Sequence, residues 1–449
     1  MVIVLQKIIS QMFYLKTNKK IVSFLFLTFF LNLGYAQKNV TFTIEQALSE
    51  AVANFQQLKV TQKAIEINQQ QKSIFKLNQY PSLTLGATAS YIADVEILDK
   101  DFSNLMTQEM PKFGNSFTLQ ATQLVYRGGV FKKHIASYDL KHQIAELALK
   151  NDEQTAKHIM VDLLLEKIKF TNQKEIYFNN IQLANNRLEN IEQLFNQSKV
   201  TRNEVLRVEL TIKKFEQALL TIQNNIQIID YNLAVLLGYP TDTQFNLIDE
   251  AITNNEPQDY YLELALSNHP ELISVKNQIL LADKAVDILR SEKYPTIALF
   301  GGYNMQRPIV TRTPAMDLYA NAWQVGVSLN YSLDNLVYKT NKRMKLAKIQ
   351  KQQVSESNIV LIQNINMNVN KSFVKYQEAL QQIEISKISA ELADENYKMA
   401  EDKYFKRTAT QMELLDASYQ KLEAEIHFSN DKVNSISQYY NLKFATGTL

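Results

Sequence analysis

The chain has 449 residues, a formal net charge of +2, 10 glycines, 8 prolines and no cysteine. The lack of cysteine excludes disulfides, thiolate metal sites, cysteine nucleophiles and a lipid attached to cysteine. No proline interrupts residues 112–239 or the chain after Pro314, so helices of unusual length are permitted there.

The first 36 residues have the pattern of a secretory signal peptide. Lysines precede an apolar run at residues 21–33, and Ala36 ends a small-x-small cleavage site. A transmembrane helix is the competing interpretation, but a run of about 13 apolar residues is short for one. Cleavage removes four lysines and no acids, which changes the net charge from +2 to −2. A basic surplus for binding nucleic acid is therefore absent, and we expect no nucleic-acid partner.

The first half of the mature chain changes its hydrophobic period twice. A helical pattern runs from about Phe42 to Gln79, and then segments 81–93 and 115–126 alternate with period two. Each strand segment carries Leu, Ala, Val or aromatic residues on one face and small polar residues on the other. Residues 127–237 then predict an antiparallel coiled-coil hairpin that turns near residues 197–203. Its returning arm has apolar residues spaced by three and four: Val205, Val208, Ile212, Phe215, Leu219, Ile222, Ile226, Ile229, Leu233 and Leu236.

The second half repeats this order after a linker at 241–259. YPSL at residues 80–83 corresponds to YPTI at 294–297, and KVTRNEVL at 199–206 corresponds to TATQMELL at 408–415. The second predicted strands also correspond, Ser116 with Ala322, and the offsets of 206 to 214 residues indicate an internal duplication. The first structural repeat is predicted at 37–240 and the second at 260–449. The second repeat has strands at about 295–305 and 321–332 and a coiled-coil hairpin at about 333–446.

The strands and helices together predict a mainly α protein with a membrane β-barrel portion. Two-faced strands of about ten residues are typical of outer-membrane barrels, although a half-buried soluble sheet has the same pattern. A helix of roughly 65 residues is about 100 Å long, which is more than a globular core needs. Four strands cannot close a barrel alone, and lipid does not tolerate an open sheet edge. We therefore expect several copies to share one barrel that continues into a helical barrel.

The chain contains an ordered set of short segments that resembles a known family. The segments FTIEQAL (42–48), YPSLTL (80–85), YRGG (126–129), LLGYP (236–240) and ATGTL (445–449) occur in the order found in the TolC family of outer membrane efflux proteins. The resemblance implies a homotrimer in the cell outer membrane, with a twelve-stranded barrel and a periplasmic α-helical barrel. It also implies an exit duct of a tripartite efflux system. The implied partners are a periplasmic adaptor (membrane fusion) protein, an inner-membrane RND or ABC transporter, and outer-membrane lipid.

The resemblance also implies an acidic ring at the channel entrance, formed by the helix turns farthest from the membrane. The acidic positions fall on Glu413 and Asp416. Their i, i+3 spacing puts both carboxylates on one helix face, so three chains would gather six of them around one axis. The negative charge of such a ring would attract cations, and repulsion among its carboxylates would raise some of their pKa values. From spacing alone, an ordinary solvated helix face is the alternative.

Links between the two hairpin turns hold the family's entrance closed. The matching positions include Glu204 and Tyr404, whose side chains are able to hydrogen-bond. Ala409 stands where the family carries an arginine, so Lys406 and Arg407 are the substitutes in this sequence. These four polar residues are the candidates for an entrance lock.

Four aromatic residues stand towards the predicted strand ends: Tyr91, Tyr303, Trp323 and Tyr331. Tyrosine and tryptophan are enriched at membrane–water interfaces, so we expect these four to form an interface girdle. Ordinary side-chain packing is the alternative.

The sequence contains no motif for catalysis. Five scattered histidines fit no metal spacing, and nucleophile elbows, phosphate-binding glycine loops and zinc helix motifs are missing. We therefore expect a protein that is not an enzyme and has no cofactor or metal. Two other functions remain open: the outer-membrane component of type I protein secretion, and a soluble periplasmic coiled-coil scaffold. The scaffold leaves the duplicated strand pairs unexplained.

Overall fold

The computed structural model describes residues 39–247, 256–311 and 314–449, so the predicted signal peptide lies outside the described residues. The first repeat comprises β1 (Asn39–Phe42), α1 (Ile44–Asn54), α2 (Gln56–Leu77), β2 (Ser82–Tyr91), β3 (Val95–Leu98), β4 (Leu105–Gln108), β5 (Phe113–Arg127), α3 (Val130–Asn196) and α4 (Arg202–Leu237). The second comprises β6 (Gln244–Leu247), α5 (Gln258–Asn268), α6 (Pro270–Ser291), β7 (Thr296–Arg307), β8 (Ala320–Asn330), a π-helical turn (Asn335–Lys339), α7 (Thr340–Phe405) and α8 (Gln411–Ala445). The predicted duplication of helix, strand, strand, long helix and helix is confirmed.

Two helices dominate the fold. α3 has 67 residues and α7 has 66, so each is about 100 Å long at 1.5 Å per residue. α3 packs against α2 along its first part and against α4 along its second part, while α7 packs in the same way against α6 and α8. α3 also contacts α6 and α8, which places α2 and α4 on one flank of the protomer and α7 on the other. No helix of the described segments is long and apolar enough to cross a membrane.

The first predicted helix of each repeat is in fact a pair of helices. Phe55 separates α1 from α2 with extended backbone at φ −61° and ψ 113°, and His269 separates α5 from α6 at φ −61° and ψ 117°. Pro270 explains the second break, because a proline disfavours helical backbone at the residue before it. The first break has no proline and adopts the same geometry 214 residues earlier.

The four long strands form one antiparallel sheet in the order β2-β5-β7-β8. One row of paired residues crosses it through Leu85, Leu119, Tyr303 and Trp323. The side chains of Leu85 and Trp323 are 80% and 78% exposed, so the apolar face is open in the single protomer. Among the residues that the structure describes, β2 and β8 each pair on one side only, which leaves two open edges.

Three short features of the strands are absent from the sequence prediction. The segment between the two predicted strands of the first repeat contains the hairpin β3–β4. β6 lies within the predicted linker and pairs in parallel with β1. A bulge between Leu124 and Tyr126 shifts the register of β5 against β7. Val125 therefore falls out of the simple alternation.

The main hydrophobic core lies at the middle of the long helices. It joins α1, α5, β1 and β6 to α3, α4, α7 and α8, so it contains residues of both repeats. Lys167 on α3 and Asp230 on α4 form a buried ion pair beside this core. The Phe245 amide of β6 also donates to the Asp230 carboxylate at 3.4 Å, which anchors the small β1–β6 sheet to the hairpin.

Candidate functional site at the distal helix turns

The two hairpin turns have the same backbone geometry. The Ser198 amide donates to the Phe195 carbonyl at 2.8 Å, and the Arg407 amide donates to the Tyr404 carbonyl at 2.9 Å. Ser198 and Arg407 are equivalent positions, and both have left-handed backbone, with φ of 59° and 61°. This conformation is uncommon for a residue other than glycine. The duplication therefore extends to the backbone of the turns.

Each turn leads into a helix with a threonine and a glutamate at its start. Thr201 with Glu204 and Thr410 with Glu413 occupy equivalent positions. The Glu413 amide donates to Thr410 Oγ1 at 3.3 Å, and the threonine hydroxyl donates to Glu413 Oε1 at 3.2 Å. Glu413, predicted for the acidic ring, thus has a local role in capping α8.

A groove of about 590 Å³ separates α4 from α8 just beyond the turns. Arg207 and Lys214 line it from α4, and the predicted ring residues Glu413 and Asp416 line it from α8. Asp416 also accepts a hydrogen bond from Gln420 Nε2 at 2.8 Å. The equivalent of Asp416 in the first repeat is Arg207, so the acid pair belongs to one turn only. The groove therefore has an acidic wall and a basic wall.

Polar side chains tie the two hairpins together at this end. Gln411 Nε2 donates to the Glu204 carbonyl at 2.6 Å. The hydroxyls of Thr211 and Tyr419 lie 3.2 Å apart. These contacts hold the beginning of α8 against the beginning of α4.

The lock candidates have different surroundings. Tyr404 packs against small buried clusters of both hairpins. Burial and then the Glu204 carboxylate raise the pKa of Tyr404. Its buried hydroxyl makes no hydrogen bond of standard geometry within the described chain. Lys406 pairs with Asp402 on its own helix, and Arg407 occupies the turn itself. The lock stays a prediction.

A further link between the hairpins was missed by the sequence analysis. The buried Arg187 on α3 donates from Nη2 to Tyr397 Oη on α7 at 2.9 Å. The Tyr397 hydroxyl donates in turn to Glu401 Oε1 at 2.6 Å. Burial and then Glu401 raise the pKa of Tyr397. From α8, Lys421 Nζ lies 5.0 Å from the Tyr397 ring centroid. The one sequence signal is a charged Arg187 beside the apolar seam of α3.

The four predicted interface aromatics occupy both ends of the sheet. Tyr303 and Trp323 are direct cross-strand partners near the loop end, and Tyr91 is the last residue of β2 at that same end. Tyr331 directly follows β8 at the end that leads into the helices. The aromatics are therefore divided three to one between the two ends, and their role as a girdle stays a prediction.

The titratable side chains away from the turns are relevant as metal ligands and as a pH-dependent group. Within the described ranges, no group of three or more His, Asp and Glu side chains is placed to hold a metal ion. His158 lies beside the core, with Nε2 2.8 Å from Asn441 Oδ1 and Nδ1 3.3 Å from Asp162. The Asp162 carboxylate is the main cause that raises the pKa of His158.

The comparisons with known proteins agree with this architecture. Residues 261–448 match the family model described as outer membrane efflux protein. This match covers less than half of the chain, so it places the second repeat, and not the whole chain, within the model of that family. No curated protein sequence matches it as a relative. The match falls on the second repeat, and the first repeat has the same element order.

The fold of the whole chain is similar to solved outer-membrane channels. It matches CusC with a TM-score of 0.73 at 15% identity, covering 90% of this chain and 91% of that one. It matches VceC of Vibrio cholerae with a TM-score of 0.71 at 16% identity, covering 90% and 96%. It matches CmeC of Campylobacter jejuni with a TM-score of 0.70 at 14% identity, covering 90% and 85%. These similarities show that the chain has the fold of these channels.

Proposed function

We propose that three copies of this chain form a continuous tube that passes small molecules from a periplasmic adaptor and an inner-membrane RND or ABC transporter to the exterior. The observation that carries this proposal is the four-stranded sheet with two open edges and an exposed apolar face. β2 and β8 run in opposite directions, so β2 of one copy is able to pair antiparallel with β8 of the next. Closure in this way removes every edge from the lipid.

The exposed apolar residues of the helices support the same assembly. α2 exposes Val60, Ile67 and Ile74 at intervals of seven residues, and their side chains are 56% to 58% exposed. α7, on the opposite flank, exposes residues that include Leu346, Ile349, Met367 and Val374. A second copy that brings its α7 against α2 buries both rows. Such unpartnered apolar rows favour association over a free monomer.

The aromatic residues fit the proposed membrane position. Tyr91, Tyr303 and Trp323 would mark the side of the outer membrane that faces the exterior, and Tyr331 would mark the side that faces the periplasm. In this arrangement the distal turns stand far from the membrane, where the adaptor reaches them. The basic wall of the groove, formed by Arg207 and Lys214 on α4, is the surface we assign to the adaptor.

Opening of the entrance requires the two hairpins to separate. The links that must break are Arg187–Tyr397, Gln411–Glu204 and Thr211–Tyr419. Each is a single polar contact worth about 1 to 3 kcal/mol, so binding of a partner supplies enough free energy to break them. Tyr404, Lys406 and Arg407 complete the proposed lock at the turns. Glu413 and Asp416 from three copies form the acidic ring.

The acidic ring is tested by single-channel recording in planar bilayers. Glu413→Gln with Asp416→Asn removes six carboxylates from the trimer, so the ratio of cation to anion permeability should fall by roughly twofold or more. The matched control is Glu189→Gln with Glu192→Gln, an exposed i, i+3 pair at the same level on α3. An unchanged ratio in the ring variant, or an equal fall in the control, excludes the ring. Recordings without any channel activity contradict the duct itself.

A further inference from the structure

Charge is distributed unevenly along the long axis. We define a basic collar as the residues within about 15 positions of the strand ends that join the helices: 67–81, 127–142, 281–295 and 331–345. The collar contains 13 Lys and Arg against 5 Asp and Glu, a net charge of +8. The distal ends, residues 182–216 and 391–425, contain 11 basic and 14 acidic residues, a net charge of −3. Three copies therefore carry a collar charge of +24 in a protein that is close to neutral.

The five acidic side chains of the collar already form ion pairs. Every one of the five lies within ion-pair distance of a lysine or arginine: Asp139 with Lys72, Asp283 with Lys351, Asp287 with Arg290, Glu292 with Arg343 and Asp334 with Lys339. Lys76, Arg127, Lys132 and Lys342 are exposed and make no ion pair within the described residues. The surplus charge thus belongs to side chains that are free to bind another anion.

The collar begins where the apolar strand face ends. Leu83 and Leu329, whose side chains are 73% and 65% exposed, are the last large apolar residues of the edge strands on the helix side. On the helix side of these leucines are the exposed Tyr80, which precedes β2, and the exposed Tyr338 in the π-helical turn, as expected near a membrane interface. The headgroup layer is roughly 5 to 8 Å thick on each side, and lysine and arginine side chains extend to reach it. The nearest collar cations are therefore level with lipid headgroups.

We propose that the basic collar binds the phosphate groups of anionic phospholipids in the membrane leaflet that faces the helices. This inference rests on the proposed membrane position of the sheet. Basic side chains near a membrane surface bind anionic lipids, and the attraction falls off within a Debye length of about 8 Å at physiological salt. The lipids would hold the tube at a fixed depth, so that the helices begin at the membrane surface.

The test is native mass spectrometry of the detergent-extracted trimer with added phosphatidylglycerol or phosphatidylcholine of the same acyl chains. The wild-type trimer should bind phosphatidylglycerol roughly tenfold more tightly. The collar variant combines Lys76→Gln, Arg127→Gln, Lys132→Gln and Lys342→Gln, and it should lose most of that preference. The matched control combines Lys174→Gln, Lys199→Gln, Lys387→Gln and Lys403→Gln, four exposed cations farther from the sheet, and it should keep it.

Equal binding of the two lipids by the wild type overturns the proposal, as does a collar variant that keeps the preference. A collar variant with unchanged lipid preference but altered ion selectivity means that these side chains face the duct, which also overturns it. If the collar variant does not assemble, the salt dependence of the lipid preference is measured on the wild type instead. The preference should fall as ammonium acetate rises from about 50 to 500 mM, and a constant preference contradicts the proposal. Failure of the wild type to form a membrane trimer is a separate result, which contradicts the proposed function.

Discussion

The middle and the distal end of the helices are packed in different ways. At the middle, 26 buried residues from both repeats form one cluster together with β1, β6 and the short helices. At the distal end, the buried clusters contain five and three residues, and polar side chains make most of the contacts between hairpins. Burial of apolar area is the main favourable term in folding, so the middle is the stable part. The distal hairpins are held by contacts that a partner is able to replace.

The largest expected effect is at the middle. Burial lowers the pKa of Lys167, and Asp230 partly opposes this shift. Lys167→Met leaves the Asp230 carboxylate buried without a cation, so the free energy of unfolding should fall by about 3 to 5 kcal/mol. Denaturant unfolding of the detergent-extracted protein measures this change. The double variant Lys167→Met with Asp230→Leu should recover most of the loss, and a double variant as unstable as the single one contradicts the account.

A smaller and local effect is expected at the distal end. Arg187→Ala removes the cation from Tyr397 Oη. The free energy of local opening of the hairpins should therefore fall by about 1 to 3 kcal/mol. Hydrogen exchange should accelerate in residues 182–216 and 391–425, and channel openings should become more frequent. Tyr397→Phe is the matched variant, because it keeps the ring and removes the hydroxyl. Acceleration that spreads to the core around Leu233 and Tyr376 would show that the two regions are not separable.

The smallest expected effect is a pH dependence at the edge of the core. Asp162 raises the pKa of His158 above its ordinary value of 6.5, so the folded state favours the protonated ring. The resulting stabilisation is fully present below about pH 6.5 and is lost as the pH rises through the raised folded value. It should stay below about 1 kcal/mol, because the pair is partly exposed. The wild type and His158→Gln should therefore differ more in unfolding free energy at low pH, and a pH-independent difference excludes this role.

The fold was largely predictable because its signals are long. The strands alternate over about ten residues, the helices repeat apolar residues at spacings of three and four over many turns, and the order of elements is duplicated. Patterns of this length stay recognisable even where single residues depart from them. The missed elements are short. β1, β3, β4 and β6 have four residues each, too few for an alternation to be recognised. β1 also pairs with a strand about 200 residues away, and such pairing leaves no local pattern.

The site was predictable only in part. A threonine followed three residues later by glutamate is a readable helix start, and it occurs at Thr201 and Thr410. The link from Arg187 to Tyr397 joins residues 210 positions apart, so the local sequence marks Arg187 as a charge beside an apolar seam but does not indicate its partner. The left-handed backbone at Arg407 could not be predicted from the sequence, because the turn contains no glycine to indicate it. Tertiary contacts and turn geometry therefore account for what the sequence analysis missed.

The central claim is a shared barrel built from four strands of each copy. Its most direct test is the mass of the protein after detergent extraction from isolated outer membranes, measured by light scattering with the detergent contribution subtracted. Recovery from the outer membrane at three times the mass of one mature chain is the predicted result. A monomer or dimer in the soluble periplasmic fraction would contradict the tube and identify the four strands as an ordinary sheet.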